Sequence, residues 1–225
     1  MYSFGVLSLL SPLLPIGGFT YSQGIESAVE NNLITDTNSL KLWIESMLYK
    51  GIKYLELPIL IRLCNSAKEN DWDAFLKWGE MIIASRGTME LKMEEMQKGR
   101  ALVNILPSLN IAMDSIPPRI LPNLSSSWLQ ALAYAAVRLD ISVEELLHTF
   151  IFSFVESMVT VGAKIIPLGQ SACWSVISEI LTSSKISTMI AEAKLLADDE
   201  IGSGLCNMAI QSSLHEVMYS RIYRN

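Results

Sequence analysis

Cysteine and histidine are scarce in this 225-residue chain: three Cys (Cys64, Cys173, Cys206) and two His (His148, His215). The cysteines are odd in number, far apart and form no C-x-x-C, which excludes a disulfide framework and a zinc knuckle and predicts small core residues in a reducing compartment. Charge is also thin, at 18% of residues with a formal net charge of −6 and no run of Lys or Arg. There is thus no electrostatic footprint for nucleic acid or an anionic lipid surface. No G-x-x-x-x-G-K-[ST] and no G-x-G-x-x-G is present, so the chain lacks a nucleotide-phosphate cradle. Alternating strand patterns, repeats and low-complexity tracts are missing as well. No Lys or Arg precedes the apolar run at the N-terminus, and Pro12 and Pro15 interrupt it, which argues against a secretory signal. From Leu146 to Ile166 the chain is the strongest candidate for a membrane span, but Glu145, Glu156 and Lys164 interrupt or bound it and Pro167 ends it. The expected location is the cytoplasm.

What the chain has is apolar residues, half of the total. That is enough for a large core, and the surplus points to apolar surface that meets other proteins. The spacing is helical: Leu40, Trp43, Ile44, Met47 and Leu48, continuing to Ile52 and Leu55, place one apolar face on a helix. Asp71 is suited to cap a helix carrying Trp72, Phe75, Leu76 and Ile83. Ser142-Val143-Glu144-Glu145 has the capping-box form and opens an apolar helix to about Ile165, expected in the middle of a bundle, with His148 as a hydrogen-bonded core or interface residue. Pro167 is expected in the first turn of the next helix, through Trp174, Val176, Ile177 and Ile180. The fold class is therefore all-α: one helical-bundle domain over 1–225, with a lead-in (1–21), one long Pro-rich irregular loop (107–124) and a C-terminal tail (213–225).

Candidate chemistry is sparse. His215-Glu216 begins like H-E-x-x-H, but Tyr219 stands where the second ligand would be. Gly202-Ser203-Gly204 reads as a helix break, and Asp198-Asp199-Glu200 as a helix start or solvated surface. The acidic stretch Glu90, Glu94 and Glu95 carries two i,i+4 pairs, Arg86 to Glu90 and Glu94 to Lys98, the pattern of a solvated helix face. Met89, Met93 and Met96 form a stripe expected to pack in the core, with a partner groove as the other reading. Three segments are dense in residues with special roles. In Leu13 to Glu26, Gly17-Gly18 permits positive φ, Thr20 and Gln23 can form a capping box, and Glu26 complements a helix start. The second is Lys164 to Gln170, and the third is the tail with Tyr219, Arg221, Tyr223 and Arg224, which carries hot-spot residue types at a terminus that usually frays.

Taken together, Pro15-Ile16-Gly17-Gly18-Phe19-Thr20-Tyr21-Ser22-Gln23-Gly24-Ile25-Glu26, Arg86-Gly87-Thr88-Met89-Glu90-Leu91 with Gly99-Arg100, Lys164 with Pro167-Leu168-Gly169-Gln170, and His215-Glu216 with Tyr219-Ser220-Arg221 resemble the UreF family of urease accessory proteins. Cys173-Trp174 departs from the Gly-Gln that this family often shows there. The resemblance implies an all-α homodimer that is a chaperone component and not an enzyme. It also implies partners: UreD (UreH), the GTPase UreG and apo-urease. No cofactor would be bound directly; nickel would be handled by the complex, and GTP with Mg by UreG. On this reading Gly17, Gly18 and Phe19 shape the dimer centre. Gln23, Glu26, Lys164 and Gln170 face UreG, and Tyr219, Arg221 and Arg224 dock the tail into UreD, ordering on binding. The alternatives are a nickel-carrying metallochaperone using His215, Cys206 or Asp198-Asp199, and a metal-dependent helical enzyme using Asp198-Asp199-Glu200.

Overall fold

The computed structural model describes residues 4–11, 13–113, 116–202 and 204–225, so Pro12 and Ser203 lie outside the described residues. Among the described residues every regular element is helical. In order these are α1 (Phe4–Leu9), α2 (Ile25–Glu30), α3 (Thr37–Met47), α4 (Glu56–Glu69), α5 (Trp72–Ala84), α6 (Met89–Ile105), α7 (Leu121–Leu124), α8 (Trp128–Arg138), α9 (Val143–Ile165), α10 (Gln170–Leu181), α11 (Ser184–Leu195) and α12 (Cys206–His215).

The expected caps are in place. Asp71 accepts from the Ala74 N–H at 3.0 Å and opens α5, and Ser142 accepts from the Glu145 N–H at 3.2 Å and opens α9. Each hydroxyl or carboxylate satisfies an amide that the first helical turn leaves without a partner. The apolar face predicted from Leu40 to Leu55 is buried at Leu40, Ile44, Met47, Leu48, Ile52 and Leu55. It is carried by α3 and then by a π-helical turn at Leu48–Ile52.

The centre of the bundle is α8, not α9. Residues Leu129 to Ala136 are buried without a break. Four of these are Ala, small enough to let α4 and α6 approach on two sides, and those are the most extensive helix pairs in the fold. Glycine serves the same end on α6. A Cβ at Gly99 would stand 2.7 Å from the backbone carbon of Ser127 and 2.9 Å from the Trp128 nitrogen, so only Gly allows α6 to cross the start of α8.

Helix α9 is long and apolar enough to cross a membrane by length and composition, yet more than half of its most apolar window is buried against other helices. Its remaining face opens outward at Phe152, Thr160 and Lys164. His148 lies on this helix, half-buried and 3.2 Å from Glu144 Oε1. Helix α10 starts at Gln170, so Pro167 belongs to the connection and not to the first turn, because the chain is extended at Ile166 and Gly169. Val176, Ile177 and Ile180 are buried, but Trp174 is 62% exposed. The 107–124 segment is not wholly irregular: it includes part of a 3-10 turn at Leu106–Leu109 and all of α7. Of the cysteines only Cys64 is in the core; Cys173 is half-buried and Cys206 exposed.

Candidate functional site

The N-terminal motif and the C-terminal tail come together on α2 and α6. Gly17 takes the left-handed conformation expected of it (φ 72°) and leads into a 3-10 turn at Gly18–Thr20. The Thr20–Gln23 capping box does not form. Gly24, also left-handed, caps α2 in its place, which moves the helix start to Ile25. Thr20 is left to donate its hydroxyl to Gly17 O at 2.8 Å. The Gln23 amide N–H donates to Asn225 Oδ1 at 2.9 Å and its side chain to Glu94 Oε1 at 3.0 Å.

Glu26 sits in the first turn of α2 as expected, but it is buried and does not complement a free helix end. Its carboxylate accepts from the backbone N–H groups of Ile222 at 2.7 Å and Tyr223 at 2.9 Å, and His215 Nε2 lies 3.0 Å from its Oε2. The other ring nitrogen, Nδ1, lies 2.8 Å from Glu90 Oε2, and Glu90 Oε1 accepts from Arg221 at 2.9 Å. His215 is the last residue of α12 and is fully buried, so its ring is held between two carboxylates away from water.

Beyond Tyr223 the chain continues as a strap. The Arg224 N–H donates to Thr20 O at 2.8 Å, the Ser22 N–H to Asn225 O at 3.1 Å, and Asn225 Nδ2 to Glu94 Oε2 at 2.7 Å. The Ser22 hydroxyl also donates to Asn225 O, and Arg224 Nη1 donates to Gln97 Oε1 at 3.0 Å. Tyr223 and Asn225 are buried. Burial, reinforced by the Glu26 charge, pushes the Tyr223 phenol above its ordinary pKa. The tail expected to order only on binding is thus already folded onto its own chain. Arg221 and Arg224 are engaged there, whereas Tyr219 is fully exposed, with Val217 (80%) and Ile222 (70%) beside it in sequence.

The charges on α6 are also arranged differently from what their spacing predicts. Arg86 does not pair with Glu90 but with Glu56 at 2.5 Å and Glu95 at 2.8 Å. Glu95 also accepts from the Ser127 hydroxyl at 2.8 Å and the Leu129 N–H at 2.9 Å, so α6 caps α8 from outside. The Glu94–Lys98 pair forms at 3.2 Å as its spacing predicts, but both side chains are buried, and the Lys98 ammonium lies 3.5 Å from the centre of the Trp128 ring. What reads as a solvated acidic face is therefore a buried ionic layer. Burial is the largest influence and works against the Glu95 charge, but the Arg86 guanidinium together with the hydrogen bonds from the Leu129 N–H and the Ser127 hydroxyl holds the carboxyl below its ordinary range. The methionine stripe is reversed in the same way: Met89 is 64% and Met93 40% exposed.

Alongside this layer a cavity of about 280 Å³ opens, lined among others by Phe19, Gln23, Arg86, Glu94, Phe154 and Lys164. It joins residues from all of the dense segments except the tail. Phe19 is 60% exposed and Leu13 91%, and Lys164 and Gln170 are exposed at the α9–α10 junction.

Metal-ligand types are not gathered. Among the described residues no group of three or more His, Cys, Asp or Glu could hold an ion. Cys206 and His215 are the two ends of α12, ~14 Å apart at 1.5 Å per residue. Asp198 pairs with Arg62 at 2.9 Å, and Glu200 accepts from the Ala197 N–H at 2.8 Å, so the acidic triplet is an exposed 3-10 turn.

Among the described residues, then, the fold is all-helical, with one buried polar cluster fixing the tail on α2 and another joining α6 to α8. Comparison with known proteins gives this a family. The UreF family profile matches residues 34–181. A urease accessory protein UreF of Pseudomonas putida (strain W619) is 37% identical over 220 residues, covering 98% of this chain and 96% of that protein. A protein of the same name from Alcanivorax borkumensis is 39% identical over 225 residues, covering 99% of this chain and 97% of that one. The chain belongs to the UreF family of urease accessory proteins.

Proposed function

We propose that this chain is a non-catalytic scaffold in urease maturation: a cytoplasmic homodimer that joins UreD (UreH) and the GTPase UreG and couples GTP hydrolysis to nickel insertion into apo-urease. Nickel would pass through the complex as cargo, and GTP with Mg would be held by UreG. The observation that carries the reading is the strapped tail. It presents Tyr219, Val217 and Ile222 outward from a backbone fixed on α2, so a partner meets a surface already ordered and loses little conformational entropy in binding it.

Tyr219, Arg221 and Arg224 would form the UreD surface, with Met89 and Met93 as adaptable apolar contacts from α6. Lys164 and Gln170 remain exposed and would face UreG. Gln23 and Glu26 act behind that face by holding the tail, so their variants would disturb both partners. Exposed Phe19, next to Gly17 and Gly18, would pack at the dimer centre.

The test is co-expression with UreD and UreG, read by size exclusion with light scattering. A stable complex on a dimeric core is expected, and Tyr219→Ala or Arg221→Ala should lose UreD while the homodimer survives. A monomer that ignores both partners yet retains nickel in equilibrium dialysis would overturn the scaffold in favour of a metallochaperone.

A further inference from the structure

Every oxygen of Glu26 and Glu90 has a hydrogen-bond partner, and His215 places one ring nitrogen against each carboxylate. The groups facing the ring come from each element packed around it: Glu26 from α2, Glu90 from α6, and Arg221 and Tyr223 from the tail. Glu216, the next residue along, accepts from the Glu90 N–H at 3.4 Å. Thr88 and Ser212 share a hydrogen bond at 2.7 Å close by. No other cation of the described residues lies within ion-pair distance of Glu26.

We propose that His215 is a proton-linked latch on the C-terminal strap: doubly protonated it locks Ile222 and Tyr223 to α2, and loss of one ring proton releases them. A neutral imidazole donates from one nitrogen only. The other nitrogen would then point a lone pair at a carboxylate oxygen about 3 Å away, inside a site closed to water, where an unmet acceptor pair is costly. Arg221 compensates Glu90 from the outside, so Glu26 is the carboxylate left without a cation. When Glu26 turns away, the Ile222 and Tyr223 N–H groups lose their acceptor. The direction follows from the hydrogen bonds: the doubly protonated ring belongs to the closed form, so closure is lost when the ring gives up a proton.

The latch stands on this geometry alone. Its consequence, that protonation sets how much of the Tyr219 surface is offered to a partner, rests on the docking role proposed above. The test is therefore made on the full chain without partners. Amide hydrogen exchange of the 221–225 peptide is followed against pH, corrected for intrinsic exchange, while the His215 ring is titrated by NMR in the same samples. Protection at Ile222 and Tyr223 should fall about tenfold to a hundredfold as the ring loses its proton, the range of one charge-assisted hydrogen bond. His215→Gln, which donates to one side only, should show low protection with no alkaline transition. Glu90→Gln should shift the transition, since it changes the charge on one side of the ring. Tail protection that stays level while the ring titrates would overturn the latch, as would an unchanged alkaline transition in His215→Gln. If that variant does not fold, the wild-type pair of curves decides alone. A latch that behaves as described beside a Tyr219→Ala variant that still binds UreD would refute the docking role and leave the latch standing.

Discussion

Replacing Glu95 by Ala tests whether the layer under α6 is a buried structural core. The substitution removes the acceptor for Arg86 at 2.8 Å, for the Ser127 hydroxyl at 2.8 Å and for the Leu129 N–H at 2.9 Å. Breaking a buried pair by deleting one partner costs about 3–5 kcal/mol, mostly because the other charge is left uncompensated. Here Arg86 keeps Glu56 at 2.5 Å, which places the expected loss at the low end. About 3 kcal/mol is a large part of the 5–15 kcal/mol that holds a typical domain together. For a chain of this size it corresponds to roughly 6–12 °C in Tm. The assay is urea unfolding followed by far-UV circular dichroism, with the midpoint lowered and the slope unchanged. A loss under about 1 kcal/mol, the value of an exposed ion pair, would refute the argument. It would mean that water enters the layer and that the i,i+4 pattern in the sequence was to be taken at face value.

Other consequences are open to the same kind of check. Gly99→Ala should cost about 1–3 kcal/mol by overpacking against the Ser127–Trp128 backbone, despite the better helix propensity of Ala; a neutral or stabilising result in thermal melts would show that the α6–α8 crossing yields. Because the folded-state pKa of Glu95 lies below its ordinary value, its contribution is complete above the usual carboxylate range and is lost as pH falls towards the folded-state value. Glu95→Gln should therefore flatten the acid side of a stability–pH profile measured by denaturant titration. Burial pushes the Cys64 thiol up to about 12, so native iodoacetamide labelling at pH 8 should modify exposed Cys206 first and Cys64 only after unfolding, as peptide mass spectrometry would show.

The helical class was readable because its signals are local. The Asp71 and Ser142 caps and the apolar face from Leu40 to Leu55 each lie within a few turns of chain. The site was far less readable, because its bonds join distant residues: Glu26 meets His215 across 189 positions and Ser22 meets Asn225 across 203. Pattern alone could not separate a buried pair from a solvated one either, since Glu94 and Lys98 obey the same i,i+4 rule in both settings. Nor does apolar periodicity tell core from contact surface, as Met89, Met93 and Trp174 show. The exposed aliphatic and aromatic side chains follow the same helical spacing as the buried ones.

The strap also bears on the order of folding. Asn225 bonds to Ser22 only after a separation of 203 positions has been closed. Long-range closure of this kind is postponed until intervening contacts have offset the entropy of bringing the two segments together. The helical bundle can therefore assemble first, with the Glu26 carboxylate in a half-built site until His215, Ile222 and Tyr223 reach it.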